Sequence, residues 1–204
     1  SIYTNYSPNK LKPGQFLDFD FDISPKIVEI FAPNISISEN TTVKGNIHAD
    51  DGNFKFNFNS PFVNIAKNSL KHINVAVDNK NPLFNTYISV DTINLPGYDI
   101  TDFNLLNITE NDTLYARTEF KGGKESKDFY NLNLYYTIDE DNKSIVGFQK
   151  SEINFKNYLW YLNENDDKKN RIVFNKKLTD FNVEHISLSH NDQVVQLSGV
   201  LRDS

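Results

Sequence analysis

Alternation of apolar and polar residues with a period of two is the feature that most limits what this chain can fold into. Residues 17–23 have the sequence Leu-Asp-Phe-Asp-Phe-Asp-Ile, and residues 53–59 have Asn-Phe-Lys-Phe-Asn-Phe-Asn. Successive side chains of a β-strand point to opposite faces, so each segment has one apolar and one polar face. Strands of this kind are typical of antiparallel sheets. The pattern therefore predicts an all-β, mostly antiparallel fold.

The same alternation recurs at residues 73–78, 132–138 and 181–183. Turn-forming residues separate the apolar segments, and they lie at 50–53, 79–82, 95–97, 121–123 and 139–143. The spacing predicts about a dozen strands. Because no shift in composition marks a domain boundary, we predict one continuous sheet over residues 1–204.

Helix is expected in one or two short segments. Ser24 is a suitable N-cap and Pro25 a suitable first helical residue, and Pro33 would end the helix. Its predicted buried stripe consists of Ile27, Ile30 and Phe31. Residues 157–162 are expected to form a second helical turn.

Charge and composition exclude several classes of function. The 204 residues carry 27 acidic and 21 basic side chains, a net charge of -6, which disfavours a nucleic-acid partner and docking on anionic membranes. Cysteine is absent, so neither disulfides nor thiolate metal sites can form. The sequence has no apolar stretch long enough to span a membrane. Since Met is also absent, we expect an internal fragment of a larger protein whose anchor lies elsewhere.

The sequence predicts no enzyme, no cofactor and no metal site. Asp18, Asp20 and Asp22 alternate like calcium ligands, but no glycine or closing glutamate follows, so a solvated strand face is favoured. The four histidines lack the close pairing of a zinc site. No nucleophile elbow, phosphate-binding loop or dinucleotide motif is present.

The apolar rows are the most distinctive candidates for function. One interpretation is that they fill a β-sandwich, and periodicity alone favours it. The other is that they line a strongly curved, U-shaped groove open to acyl chains. The candidate groove residues are Leu17, Phe19, Phe21, Ile23, Phe54, Phe56, Phe58, Ile73, Val75, Val77, Leu132, Leu134, Phe181 and Val183.

Three segments carry a resemblance to a known family. They are FDISPKIVEIF at 21–31, ISISENTTVKG at 35–45 and ISLSHNDQVVQLSGVL at 186–201. Together with the overall residue pattern of the chain, these segments resemble the central part of TamB-like proteins (translocation and assembly module, AsmA-like group) of Bacteroidetes. The resemblance favours the groove over the sandwich.

The resemblance implies a location and a role. TamB-like proteins are anchored in the inner membrane and span the periplasm, and their long U-shaped sheet, the β-taco, has an apolar interior. They are associated with outer-membrane biogenesis and with phospholipid transport between the two membranes of the cell envelope. The expected partners are therefore phospholipid acyl chains and an outer-membrane assembly barrel protein.

Two other functions stay open at this stage. A structural or adhesive β-sandwich could bind glycan or protein through exposed aromatic residues such as Tyr98, Tyr135 or Trp160. A β-rich glycosidase would need two carboxyl groups about 5–10 Å apart in a deep cleft.

Overall fold

The structure, a computed structural model, describes residues 12–203. Hydrogen bonds join fifteen strands into one large antiparallel sheet, with one α-helix and one short 3-10 turn. The predicted all-β, antiparallel class is therefore confirmed. The strong curvature and the single continuous segment over 1–204 stay predictions.

The strands are slightly more numerous than the sequence pattern predicts. The first eight are β1 Phe16–Asp22, β2 Ile35–Ile37, β3 Thr42–His48, β4 Asn53–Ile65, β5 Asn68–Asp78, β6 Thr86–Leu95, β7 Tyr98–Glu110 and β8 Thr113–Gly122. The others are β9 Asp128–Ile138, β10 Ser144–Phe148, β11 Ser151–Phe155, β12 Tyr158–Leu162, β13 Arg171–Phe174, β14 Asp180–His190 and β15 Gln193–Arg202. Helix α1 spans Pro25–Phe31, and the 3-10 turn spans Lys124–Ser126.

Internal contacts divide the described residues into two compact units. The N-terminal unit comprises residues 12–107 and 120–126, and the C-terminal unit comprises residues 108–119 and 127–203. In the N-terminal unit, neighbours in the sheet are almost always neighbours in sequence: β3 pairs with β1 and β4, and β4 to β7 follow in order. A sheet in which consecutive antiparallel strands are joined by short connections is a meander.

The C-terminal unit is also a meander, in which two strand positions are each occupied by two short strands. β10 and β11 follow one another along β9, and the register shifts by one residue between Leu134↔Phe148 and Asn131↔Glu152. β12 and β13 likewise follow one another along β14, separated by the loop 163–170. β10 and β11 therefore act as two halves of one longer strand, and β12 and β13 do the same.

Turns form where the sequence predicts them. The connections between β3 and β4, β5 and β6, β6 and β7, and β9 and β10 contain the predicted turn residues. Several asparagines of turns have positive φ, among them Asn142, Asn157 and Asn191. Asparagine tolerates this left-handed conformation better than most residues with a Cβ. The asparagine-rich composition therefore supplies many of the tight connections.

The helix predictions are partly wrong. Helix α1 begins at Pro25 after Ser24, as predicted, but the Ser24 side chain makes no capping hydrogen bond. Ile27, Ile30 and Phe31 are exposed rather than buried. Residues 158–162 form strand β12 instead of a helical turn. The reason is a two-residue hairpin at Lys156 and Asn157, whose positive φ angles of 52° and 66° reverse the chain directly into a new strand.

None of the helical segments in residues 12–203 has the length and the hydropathy that a membrane span requires.

One row across the sheet interrupts the alternation of apolar and polar residues in four neighbouring strands of the N-terminal unit. The row contains one residue from each of β4 to β7: Pro61, His72, Asp91 and Asp102. The pairing skips them and resumes in the same register, and His72 and Asp102 have positive φ of 50° and 54°. All four are exposed, and His72 Nδ1 lies 2.9 Å from Asp91 Oδ2. The apolar positions consequently step by three residues here, as from Leu70 to Ile73.

The core of the N-terminal unit is formed by apolar residues next to the exposed row through His72. Its buried centre is Val63, Ile73 and Val90, and Val90 is only 3% exposed. Partly buried apolar residues pack against it: Ile35, Ile37, Phe58, Leu70, Val75, Ile88, Ile93 and Phe103. Non-polar packing of this kind is the main source of stability for the sheet.

Candidate functional site

In the part of the sheet from β1 to β5, one face of the N-terminal unit carries charged side chains and the other carries apolar side chains. On one face, charged side chains pair across strands: Lys44 Nζ lies 3.0 Å from Asp20 Oδ2, and Lys55 Nζ lies 3.2 Å from Asp78 Oδ2. The Asp18 carboxylate contacts His48 at 2.9 Å. Asp18 and Asp20, two of the three aspartates that alternate like calcium ligands, are therefore paired with basic side chains. The described residues hold no group of three or more metal-ligating side chains.

The carboxylate of Asp18 also affects the ionisation of His48. Its hydrogen bond to Nε2, with a smaller coulombic contribution from the same group, raises the pKa of His48 above 6.5. A raised folded-state pKa means that the pairing stabilises the fold fully below the unfolded pKa and that this contribution is lost as the pH rises through the folded pKa. Because this pair is exposed, its contribution to stability is small.

The opposite face carries a continuous apolar row across six strands. Its members, each paired with the next, are Phe21, Val43, Phe58, Val75, Ile88 and Leu105. Directly paired residues project to the same face of a sheet. With strands about 4.8 Å apart, the row is about 24 Å long. We call this surface the apolar face.

A second row lies beside the first and consists of Phe19, Gly45, Phe56, Val77 and Thr86. The Phe19 ring lies over Gly45, where a Cβ atom would approach the ring to 2.6 Å and the Lys55 carbonyl oxygen to 2.5 Å. Glycine at this position thus allows a phenylalanine ring to lie flat along the sheet. A third row pairs Leu17, Ile47 and Phe54.

Exposure varies along the apolar face. Near the edge strand β1, Leu17 is 54% and Phe21 is 51% exposed, and Phe54 is also exposed. Further along the row, Phe58 and Val75 pack against the core, and Ile73 is buried within it. Phe19, Ile23, Phe56 and Val77 are half-buried, with Ile23 just beyond the end of β1. The structure thus brings the ten predicted N-terminal residues together, but only those near β1 and β3 are open to solvent.

The four predicted residues of the C-terminal unit are half-buried. Val183 pairs with Ile172, and Phe181 pairs with Phe174, whose ring is stacked at 5.5 Å. Leu134 pairs with Phe148, and Leu132 lies two residues away on the same strand. Here the opposite face is apolar as well, since the buried Ile145 pairs with Val173. This unit therefore lacks the clean division between faces seen in the N-terminal unit.

The sequence pattern alone cannot assign residues 102–108 to either face, because their apolar and polar residues do not alternate strictly. Phe103 pairs with Val90 and Leu105 pairs with Ile88, so these two residues face the core. Strict alternation does not identify Val63 and Val90 as core residues either, because it is interrupted at the exposed row through His72. A three-residue step between apolar positions, repeated in adjacent segments, is the signal that could have revealed them.

The comparisons with known proteins identify no relatives. No protein-family profile matches this chain, and no curated protein or solved structure matches it at a significant level. The resemblance to TamB-like proteins therefore stays a prediction.

Proposed function

We propose that the apolar face of the N-terminal unit binds the acyl chains of lipids. In the fuller form of the proposal, the chain is a segment of a periplasmic, TamB-like envelope protein that carries phospholipid between membranes and supports outer-membrane assembly. The observation that carries the proposal is the exposed apolar surface of Leu17, Phe21 and Phe54, backed by a charged face on the same strands.

The energetics of such a surface suit hydrocarbon. Each methylene group removed from water contributes about 0.8 kcal/mol. The first row contains no polar side chain, so an acyl chain lying along it would gain contacts without directional constraints. Only the part of the row near β1 and β3 is open to solvent, so an acyl chain would contact this exposed part, while Phe58 and Val75 further along pack against the core.

The double substitution Leu17→Glu and Phe21→Glu is expected to reduce the lipid that co-purifies with the protein tenfold or more. Losing the burial of two to three methylene groups amounts to about 2 kcal/mol, which corresponds to a factor of about 30 in affinity. Because both side chains are exposed, the fold should persist, and circular dichroism checks this. Lipid is extracted from the purified proteins and quantified by mass spectrometry.

The matched control is Asn57→Glu with Asn59→Glu, which adds the same charge to the opposite face of the sheet on β4, two strands from β1. Both asparagines are exposed. The control should retain the lipid content of the unmodified protein. Equal lipid content in both double variants would argue against the proposal, as would an unmodified protein that carries no lipid.

A further inference from the structure

A cleft of about 550 Å³ lies in the C-terminal unit, whereas the apolar face belongs to the N-terminal unit. It is formed where two hairpins turn, β11 to β12 and β14 to β15. The residues that define it are Phe155, Tyr158, Trp160, His190, Asn191 and Gln193. Its volume is within the usual range for pockets that bind small ligands. We call it the aromatic cleft.

Strand pairing places the aromatic rings together. Phe155 and Tyr158 are paired on either side of the two-residue turn at Lys156 and Asn157. Trp160 lies two residues further along β12, on the same face as Tyr158. The pairing of Tyr161 with Ser189 puts Trp160 beside His190, and their ring centroids are 5.2 Å apart.

Hydrogen bonds fix the orientation of His190. Its Nδ1–H donates to the Leu159 carbonyl oxygen at 2.6 Å, and its Nε2 accepts from Asn191 Nδ2 at 3.2 Å. The Tyr158 ring meets the imidazole edge to face, with centroids 5.6 Å apart. His190 therefore acts as a fixed wall that holds the rings of Tyr158 and Trp160 in place.

The polar lining of the cleft is balanced in charge. It contains one cation, Lys156, one carboxylate, Asp192, and the amides of Asn191 and Gln193. Amide side chains both donate and accept hydrogen bonds, as hydroxyl groups do. Aromatic rings offer flat apolar surfaces that suit the C–H face of a pyranose ring. A phosphate group would instead call for several cations.

From this combination we propose that the aromatic cleft binds a neutral glycan. A sugar ring packs against Tyr158 and Trp160, and its hydroxyl groups hydrogen-bond to the side chains of Asn191, Asp192 and Gln193. The proposal is independent of lipid binding, because the cleft and the apolar face are formed by different strands.

Trp160 is the only tryptophan of the chain, so its fluorescence reports directly on the cleft. The probes are hexasaccharides of glucose (β-1,4 and β-1,3), N-acetylglucosamine, xylose and mannose, with phosphocholine as a lipid-headgroup probe. We expect a saturable change in emission with at least one hexasaccharide. Isothermal calorimetry with the same sugar checks the affinity without relying on fluorescence.

The key variant is Tyr158→Ala, since Tyr158 is 59% exposed and its loss should leave the fold intact. The affinity for the responding sugar should fall at least tenfold. Tyr115→Ala, another exposed tyrosine outside the cleft, should leave the affinity unchanged. The proposal is overturned if no hexasaccharide gives a saturable response at millimolar concentration, if Tyr158→Ala binds as well as the unmodified protein, or if phosphocholine alone responds.

Discussion

The substitution Val90→Asp is expected to abolish the cooperative folding of strands β4 to β7. Val90 is the most buried apolar residue of the N-terminal core, where it packs with Val63 and Ile73. An isolated carboxylate in such a site loses its hydration without gaining a partner, which costs several kcal/mol even if the group becomes protonated. That cost is comparable with the total stability of about 5–15 kcal/mol of an ordinary domain. Hydrogen exchange followed by mass spectrometry should show the loss of protection in these strands.

A matched control is Val194→Asp, the same substitution at a residue of β15 that is 57% exposed. Surface substitutions usually change stability by no more than about 0.5 kcal/mol. The control should therefore keep the exchange pattern and melting temperature of the unmodified protein. If Val90→Asp behaved like this control, Val90 would not be at the centre of a core.

Replacing Asn163 by alanine should destabilise the C-terminal unit by about 3–5 kcal/mol. Asn163 is 2% exposed and follows β12, and its Nδ2 donates to the carbonyl oxygens of Phe148 at 2.6 Å and Asp167 at 3.1 Å. Its Oδ1 accepts from the Asp167 backbone N–H at 2.7 Å. Alanine removes all three bonds and must also adopt the positive φ of 51°. Denaturant unfolding gives the change in free energy.

Two further variants separate the causes. Asn163→Gly removes the same bonds but tolerates the positive φ, so its cost should be about 1 kcal/mol smaller than that of alanine. Asn165→Ala, in the exposed part of the same loop, should change the free energy of unfolding by less than about 0.5 kcal/mol. A loss of less than 1 kcal/mol for Asn163→Ala would mean that these bonds contribute little to the fold.

The outcome for Asn163 illustrates where sequence patterns stop being informative. The polar run 163–170 predicts an exposed loop, and residues 164–169 are exposed. Asn163 and Asn170, however, are buried at its two ends and hydrogen-bond to the backbone of distant residues, including Phe148 and Ser187. Composition gives the polarity of a segment but not the partners that a polar group finds in three dimensions.

The apolar rows show the opposite case. The alternation of Phe54, Phe56 and Phe58 correctly places these residues on one face, because a period of two is a local property of extended backbone. It does not decide how much of that face the protein covers with its own side chains. Phe58 packs against the core while Phe54 is exposed, although both have the same local pattern.

The aromatic cleft could not be predicted from the sequence for a related reason. The spacing of Tyr158 and Trp160 is local, but His190 reaches them only because β14 pairs with β12. The run 157–162 also suits a helical turn by composition. Only the hairpin at Lys156 and Asn157 decides in favour of a strand.

The most direct test of lipid binding by the apolar face is photo-crosslinking at two adjacent residues of β1. Benzoyl-phenylalanine replaces either Phe21, on the apolar face, or Asp20, on the charged face, and both positions are exposed. After illumination with phospholipid vesicles, intact-mass spectrometry detects any lipid adduct. We expect an adduct at position 21 and little or none at position 20. The absence of an adduct at position 21, or equal adducts at both positions, would contradict lipid binding by this face.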